Sequence, residues 1–74
     1  MQNINENTKT SRSQTDLILE WMLAGHTITP LEALEKFGSF RLGARIADIR
    51  AKGYLVYSEF ITLPNGKRVK RYNL

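Results

Sequence analysis

The chain has no cysteine, and its 74 residues include one histidine, His26. Disulfides and thiolate metal sites are therefore excluded, and a zinc site would have to lean on carboxylates, a donor set that zinc seldom uses. No apolar run approaches the roughly 20 residues that span a bilayer. Met1 to Gln14 is polar where a signal sequence would be apolar. Catalysis lacks its parts as well: there is no thiol, only one imidazole, and no paired acids beside a nucleophile. So short a chain also has little with which to exclude water from a cleft. The expectation is a protein that is not an enzyme, needs no metal or other cofactor, and takes neither a small-molecule ligand nor a membrane as partner.

What is present is one small domain's worth of apolar side chains and an uneven charge. Hydrophobic residues make up 42% of the chain, too many for disorder throughout and enough for a core of about a dozen side chains. The net charge is +4, but it is not spread evenly. Residues 1–40 carry three basic against five acidic side chains, a net −2, whereas residues 41–74 carry eight against two, a net +6. Positive charge confined to one half of the chain points to an anionic partner met by one face.

Local signals divide the chain. Residues 1–12, rich in Asn, Thr, Ser and Gln, read as a flexible N-terminal tail, and residues 13–74 as the folded domain. Ser13 with Asp16 resembles a capping box that opens a helix running to about Ala24 and stopped by Gly25. Ile18 and Met22 should form its buried stripe, flanked by Leu19 and Trp21, with Leu17 and Leu23 at the rim. His26-Thr27-Ile28 is too short for a helix and has room only for a short strand beside later ones.

Thr29-Pro30-Leu31-Glu32 joins a capping residue, a proline where no N–H is needed and an acid able to reach back to the cap, so a helix is predicted over Pro30–Phe37. Its inner face is expected to carry Leu31, Leu34 and Phe37, with Ala33 small enough for close approach. Gly38 ends it. A second helix follows over 39–52 after a tight turn, with Leu42, Ile46 and Ile49 inward and Arg41, Ala44, Arg45, Asp48 and Lys52 outward. Gly53 ends that helix, and an extended hairpin runs from Tyr54 to Asn73 around Leu63-Pro64-Asn65-Gly66.

Two turns fit that tetrad: an Asn-Gly two-residue turn, or a type I turn with Gly66 as a bulge. The second sets Glu59 opposite Arg71, Ile61 opposite Val69 and Tyr57 opposite Asn73, and is preferred because it pairs opposite charges. Tyr54, Val56, Tyr72 and Leu74 should then pack on the helices. The resulting fold class is α+β: a winged helix-turn-helix of three helices followed by a C-terminal hairpin wing, with the 26–28 segment available as a further strand.

In that arrangement the second helix of the motif faces the major groove of double-stranded DNA. Arg45, mid-helix, is expected to reach a base edge; Ser39 and Arg41, at the start, a phosphate or neighbouring base. Phe40 is either exposed by the turn, where a thymine methyl could meet it, or folded back to close it. Ala44 and Gly43 are small and would let the backbone sit deep in a groove; Asp48 and Lys52 complete the face. Lys67, Arg68, Lys70 and Arg71 charge the hairpin for a phosphate or minor-groove contact. The plainer alternatives are a solvated, salt-bridged helix face and lysines that protect a sheet edge.

The segments Ile28-Thr29-Pro30-Leu31-Glu32-Ala33-Leu34, Phe37-Gly38-Ser39, Arg41-Leu42, Arg45-Ile46, Asp48-Ile49-Arg50 and Gly53-Tyr54 together resemble a family of small helix-turn-helix domains of winged-helix type, frequent in bacteriophage and prophage genomes. The resemblance covers residues 14–74, with Gly43 a departure where a better helix former is expected. It implies a winged helix, DNA binding, and contacts from Ser39, Arg41 and Arg45. The expected function is that of a phage-type transcriptional regulator or recombination accessory factor in the cytoplasm of a bacterial or phage-infected host cell. The competing reading is a protein–protein module that docks on a larger machine through Trp21, Leu17, Leu23 or the hairpin residues Phe60 and Ile61. One such unit covers only roughly 600–1,000 Å² on DNA, so tight binding would call for a homodimer, tandem sites or a partner.

Overall fold

A computed structural model describes residues 14–74; the expected tail and the Ser13 cap lie outside the described residues. Among the described residues three helices and two strands follow in order: α1 (14–23), α2 (Pro30–Phe37), α3 (Leu42–Ala51), β1 (Tyr57–Thr62) and β2 (Arg68–Asn73). The strands form one antiparallel hairpin. Beside it, Ile28 exchanges two backbone hydrogen bonds with Tyr72, its N–H donating to the Tyr72 carbonyl at 3.0 Å and its carbonyl accepting at 2.8 Å. The 26–28 segment therefore contributes one bridged residue rather than a strand.

The α2 boundaries follow from its caps. The Thr29 side chain accepts from the Glu32 N–H, while the Glu32 carboxylate accepts from the Thr29 N–H at 2.9 Å. Such a reciprocal cap satisfies two backbone donors that the first turn leaves without helical partners. At the other end Gly38 adopts φ 69°, ψ 20°, a left-handed conformation that glycine enters without the Cβ clash of other residues. Its N–H and that of Ser39 return to the Leu34 and Ala33 carbonyls.

The core draws on all three helices, on β2 and on the segments that precede α2 and the hairpin. Ile18 and Met22 of α1, Ile28, Ala33 of α2, Leu42, Ile46 and Ile49 of α3, and Val56 are buried together, with Leu19, Trp21, Phe37, Tyr72 and Leu74 packed around them. The α1 and α3 faces are those expected from their spacing. In α2 the inward residues are Ala33 and Phe37, and Leu31 and Leu34 stand exposed. The apolar arc of this helix is roughly 160° wide at 100° per residue, broader than its contact, and the small Ala33 end lets α2 approach most closely. Tyr54, expected to pack on the helices, is also exposed.

The hairpin takes the bulged turn. Leu63 and Gly66 are joined by a 2.8 Å backbone bond, the Leu63 N–H reaches the Lys67 carbonyl at 2.7 Å, and Gly66 has φ 88°. The Asn65 side chain accepts from the Lys67 N–H and closes the loop. The register pairs Tyr57 with Asn73, Glu59 with Arg71 and Ile61 with Val69.

Candidate nucleic-acid interface

The turn between α2 and α3 sets the start of the charged face. The second helix begins at Leu42 rather than at 39, with Arg41 as its N-cap residue. Ser39, Phe40 and Arg41 therefore belong to the turn. Ser39 is 2% exposed, and its hydroxyl accepts the Arg41 N–H at 3.3 Å, so it shapes the turn from inside. Phe40 is not folded back: it is 86% exposed, beside an exposed Arg41. No acidic side chain lies in the first turn of α3, and its positive dipole end opens beside that arginine.

Helix α1 fastens the motif from behind. The Gln14 side-chain amide donates to the Gly38 carbonyl at 3.0 Å, tying α1 to the turn. From the next residue of α1, the buried Thr15 hydroxyl donates to Oδ2 of Asp48 at 3.1 Å. That oxygen also lies 3.1 Å from Nε of Arg45. The Arg45 side chain is only 16% exposed, against 49% for Asp48. Arg45 thus lies along the helix surface at the α1 side, with its charge matched by Asp48. Ala44 is half-buried, and Gly43, Ala47 and Lys52 are exposed. A Cβ added at Gly43 would meet nothing within 4 Å, so this glycine makes no close helix contact.

At the far end of α3, Arg50 donates from Nη2 to the Val56 carbonyl at 2.8 Å. This bond ties the helix to the segment that leads into the hairpin. Helical spacing does not reveal this role of Arg50, because the partner is a main-chain oxygen. On the hairpin, Arg71 is spent on Glu59, donating from Nε at 3.0 Å and Nη2 at 2.6 Å. Lys67, Arg68 and Lys70 are exposed, and among the described residues no carboxylate pairs with them.

The surface offered as a protein-docking alternative is partly occupied by the chain itself. Trp21 stacks on His26 with ring centroids 3.8 Å apart, meets Phe37 edge-on at 6.0 Å, and donates its indole N–H to the Thr27 carbonyl at 3.0 Å. The Lys36 ammonium lies 5.0 Å from its ring. Leu17 and Leu23 are exposed.

Among the described residues no group of three His, Asp or Glu side chains is gathered to hold a metal ion, and no helix is long and apolar enough to cross a membrane. No curated protein and no solved structure matches the chain. The winged helix-turn-helix domain family matches residues 13–74. With three helices, a capped turn between the last two and a bulged hairpin after them, the chain belongs to that winged helix-turn-helix domain family.

Proposed function

We propose that the chain binds double-stranded DNA, with α3 at the major groove and the hairpin along the backbone or minor groove. The observation that carries this reading is the charge polarity: +6 on residues 41–74 against −2 on residues 1–40. The fold class supports it, since a winged helix commonly presents its second motif helix to a groove. Arg41 suits a phosphate or base at the α3 N-terminus, where the helix dipole adds to its charge. Ala44 and Lys52 line the approach, and Phe40 suits a thymine methyl. Lys67, Arg68 and Lys70 suit phosphates. Arg45 reads a base only on leaving Asp48, while Ser39 acts through the turn and Arg71 through its pair with Glu59. The role that fits is a phage-type transcriptional regulator or recombination accessory factor in the cytoplasm.

Fluorescence anisotropy with random and genomic duplexes at two salt concentrations tests this. Four phosphate contacts, from Arg41, Lys67, Arg68 and Lys70, give a log–log salt slope of about −3.6. Raising salt from about 50 to about 200 mM should then weaken binding roughly 100-fold. A folded chain that binds no duplex at the lower salt would refute the reading.

A further inference from the structure

The two faces of the hairpin differ in chemistry. Cross-strand partners share a face, so Tyr57, Glu59 and Ile61 stand with Asn73, Arg71 and Val69 on one side. There the Glu59–Arg71 pair cancels its own charge, and Ile61 and Val69 are half-buried. On the other side Ser58, Phe60 and Thr62 stand with Tyr72, Lys70 and Arg68. Tyr72 packs on the core, whereas Phe60 is 56% exposed. The Arg68 guanidinium carbon lies 4.7 Å from the Phe60 ring centroid and the Lys70 ammonium 5.7 Å from it. The neighbours of Phe60 on its own strand and face, Ser58 and Thr62, are too small to cover the ring.

Protection of a sheet edge needs lysine alone; it does not call for a half-exposed phenyl ring with an arginine and a lysine held over it. A nucleobase calls for both parts, a flat apolar surface for its π-face and positive charge for the phosphates on either side. In an intact duplex the base faces are hidden in the stack, so a ring midway along a strand meets only sugar and phosphate. It meets a base face where a nucleotide is unpaired or turned out of the helix. We propose that Phe60, Arg68 and Lys70 form a stacking platform for an unpaired DNA base, and that the chain prefers interrupted duplex over intact duplex. This rests on the DNA-binding reading and adds to it a structural preference that α3 does not supply.

Two otherwise identical duplexes, one intact and one carrying a single unpaired 2-aminopurine, separate the possibilities. The full chain should bind the interrupted duplex about 10-fold more tightly, with 2-aminopurine emission quenched by stacking. Phe60→Leu keeps an apolar side chain at an exposed site, so it should leave the thermal midpoint and intact-duplex affinity unchanged while abolishing preference and quenching. Equal affinity for the two duplexes would overturn the proposal, leave DNA binding standing and return Phe60 to a protein contact. Preference retained by Phe60→Leu would overturn it too. Failure to bind either duplex would remove the DNA-binding reading itself and this inference with it.

Discussion

Replacing Asp48 by asparagine removes the one negative charge on α3 and should make the protein a stronger but less selective DNA binder. In the free chain that carboxylate sits 3.1 Å from Arg45 Nε and accepts from Thr15 at 3.1 Å. Unit charges about 4 Å apart are worth about 1 kcal/mol in water and about 4 at an effective dielectric of 20. Because Asp48 is half exposed, the lower end applies, about 1 kcal/mol after solvent screening. On the proposed reading, DNA would have to displace Asp48 to recruit Arg45; in the asparagine variant it would not. Affinity for random duplex should rise about fivefold, the equivalent of about 1 kcal/mol. One further phosphate contact should steepen the salt slope by about 0.9. Any preference between sequences should shrink, because a guanidinium no longer held in one direction reaches phosphates as readily as bases.

The assay is anisotropy on random duplex across a salt series, with urea unfolding alongside. The variant should lose about 1 kcal/mol of stability, since the amide keeps an acceptor for Thr15 but not the ion pair. The double variant Asp48→Asn/Arg45→Gln should return the slope to its starting value. If Asp48→Asn leaves both random-duplex affinity and slope unchanged, Asp48 does not restrain Arg45, and the account of how α3 meets DNA is wrong.

Other expectations follow from packing and charge. Ile28→Ala should cost about 2–5 kcal/mol in urea unfolding, because Ile28 is fully buried where the hairpin joins the helices; that is comparable with the whole stability of so small a domain. Gly43→Ala should stabilise α3 by about 0.5–1 kcal/mol, since the added Cβ meets open space. A fall in DNA affinity in that more stable variant would locate close backbone approach to the groove at residue 43. Lys70→Ala should weaken binding to all sequences alike and flatten the salt slope by about 0.9; a sequence-dependent loss would make it a base contact instead.

Two signals confined to a few neighbouring residues carry α2 and the hairpin. The Thr29–Glu32 capping box with Pro30 and Gly38 gave α2 its bounds, and Leu63-Pro64-Asn65-Gly66 fixed the hairpin register through turn geometry. In both cases the deciding interactions lie within about five residues, where sequence order and spatial order coincide. The i, i+4, i+7 spacing of Leu42, Ile46 and Ile49 likewise specified the buried side of α3, because that helix carries no competing apolar face.

Where several elements compete for one side chain, sequence order says less. The apolar arc of α2 allowed Leu31 and Leu34 to be read as inward, but close approach favours the small Ala33 at its edge. Arg45 is the more consequential case. Helical spacing puts it among the outward residues, and nothing within α3 shows that it lies against the α1 side. Asp48, three residues on, is legible as a local partner; Thr15, 33 residues away, is not. It is Thr15 that joins the Asp48–Arg45 pair to a buried position on another helix, turning a surface ion pair of little worth into part of the α1–α3 contact. A charged helix face therefore divides into cations that are presented and cations that are held, and only the neighbouring helix decides which is which. Here Arg41 is presented and Arg45 is held; on the proposed DNA-binding reading, first contact would fall to the turn before α3 and to the wing, with the helix centre engaging once Asp48 is displaced.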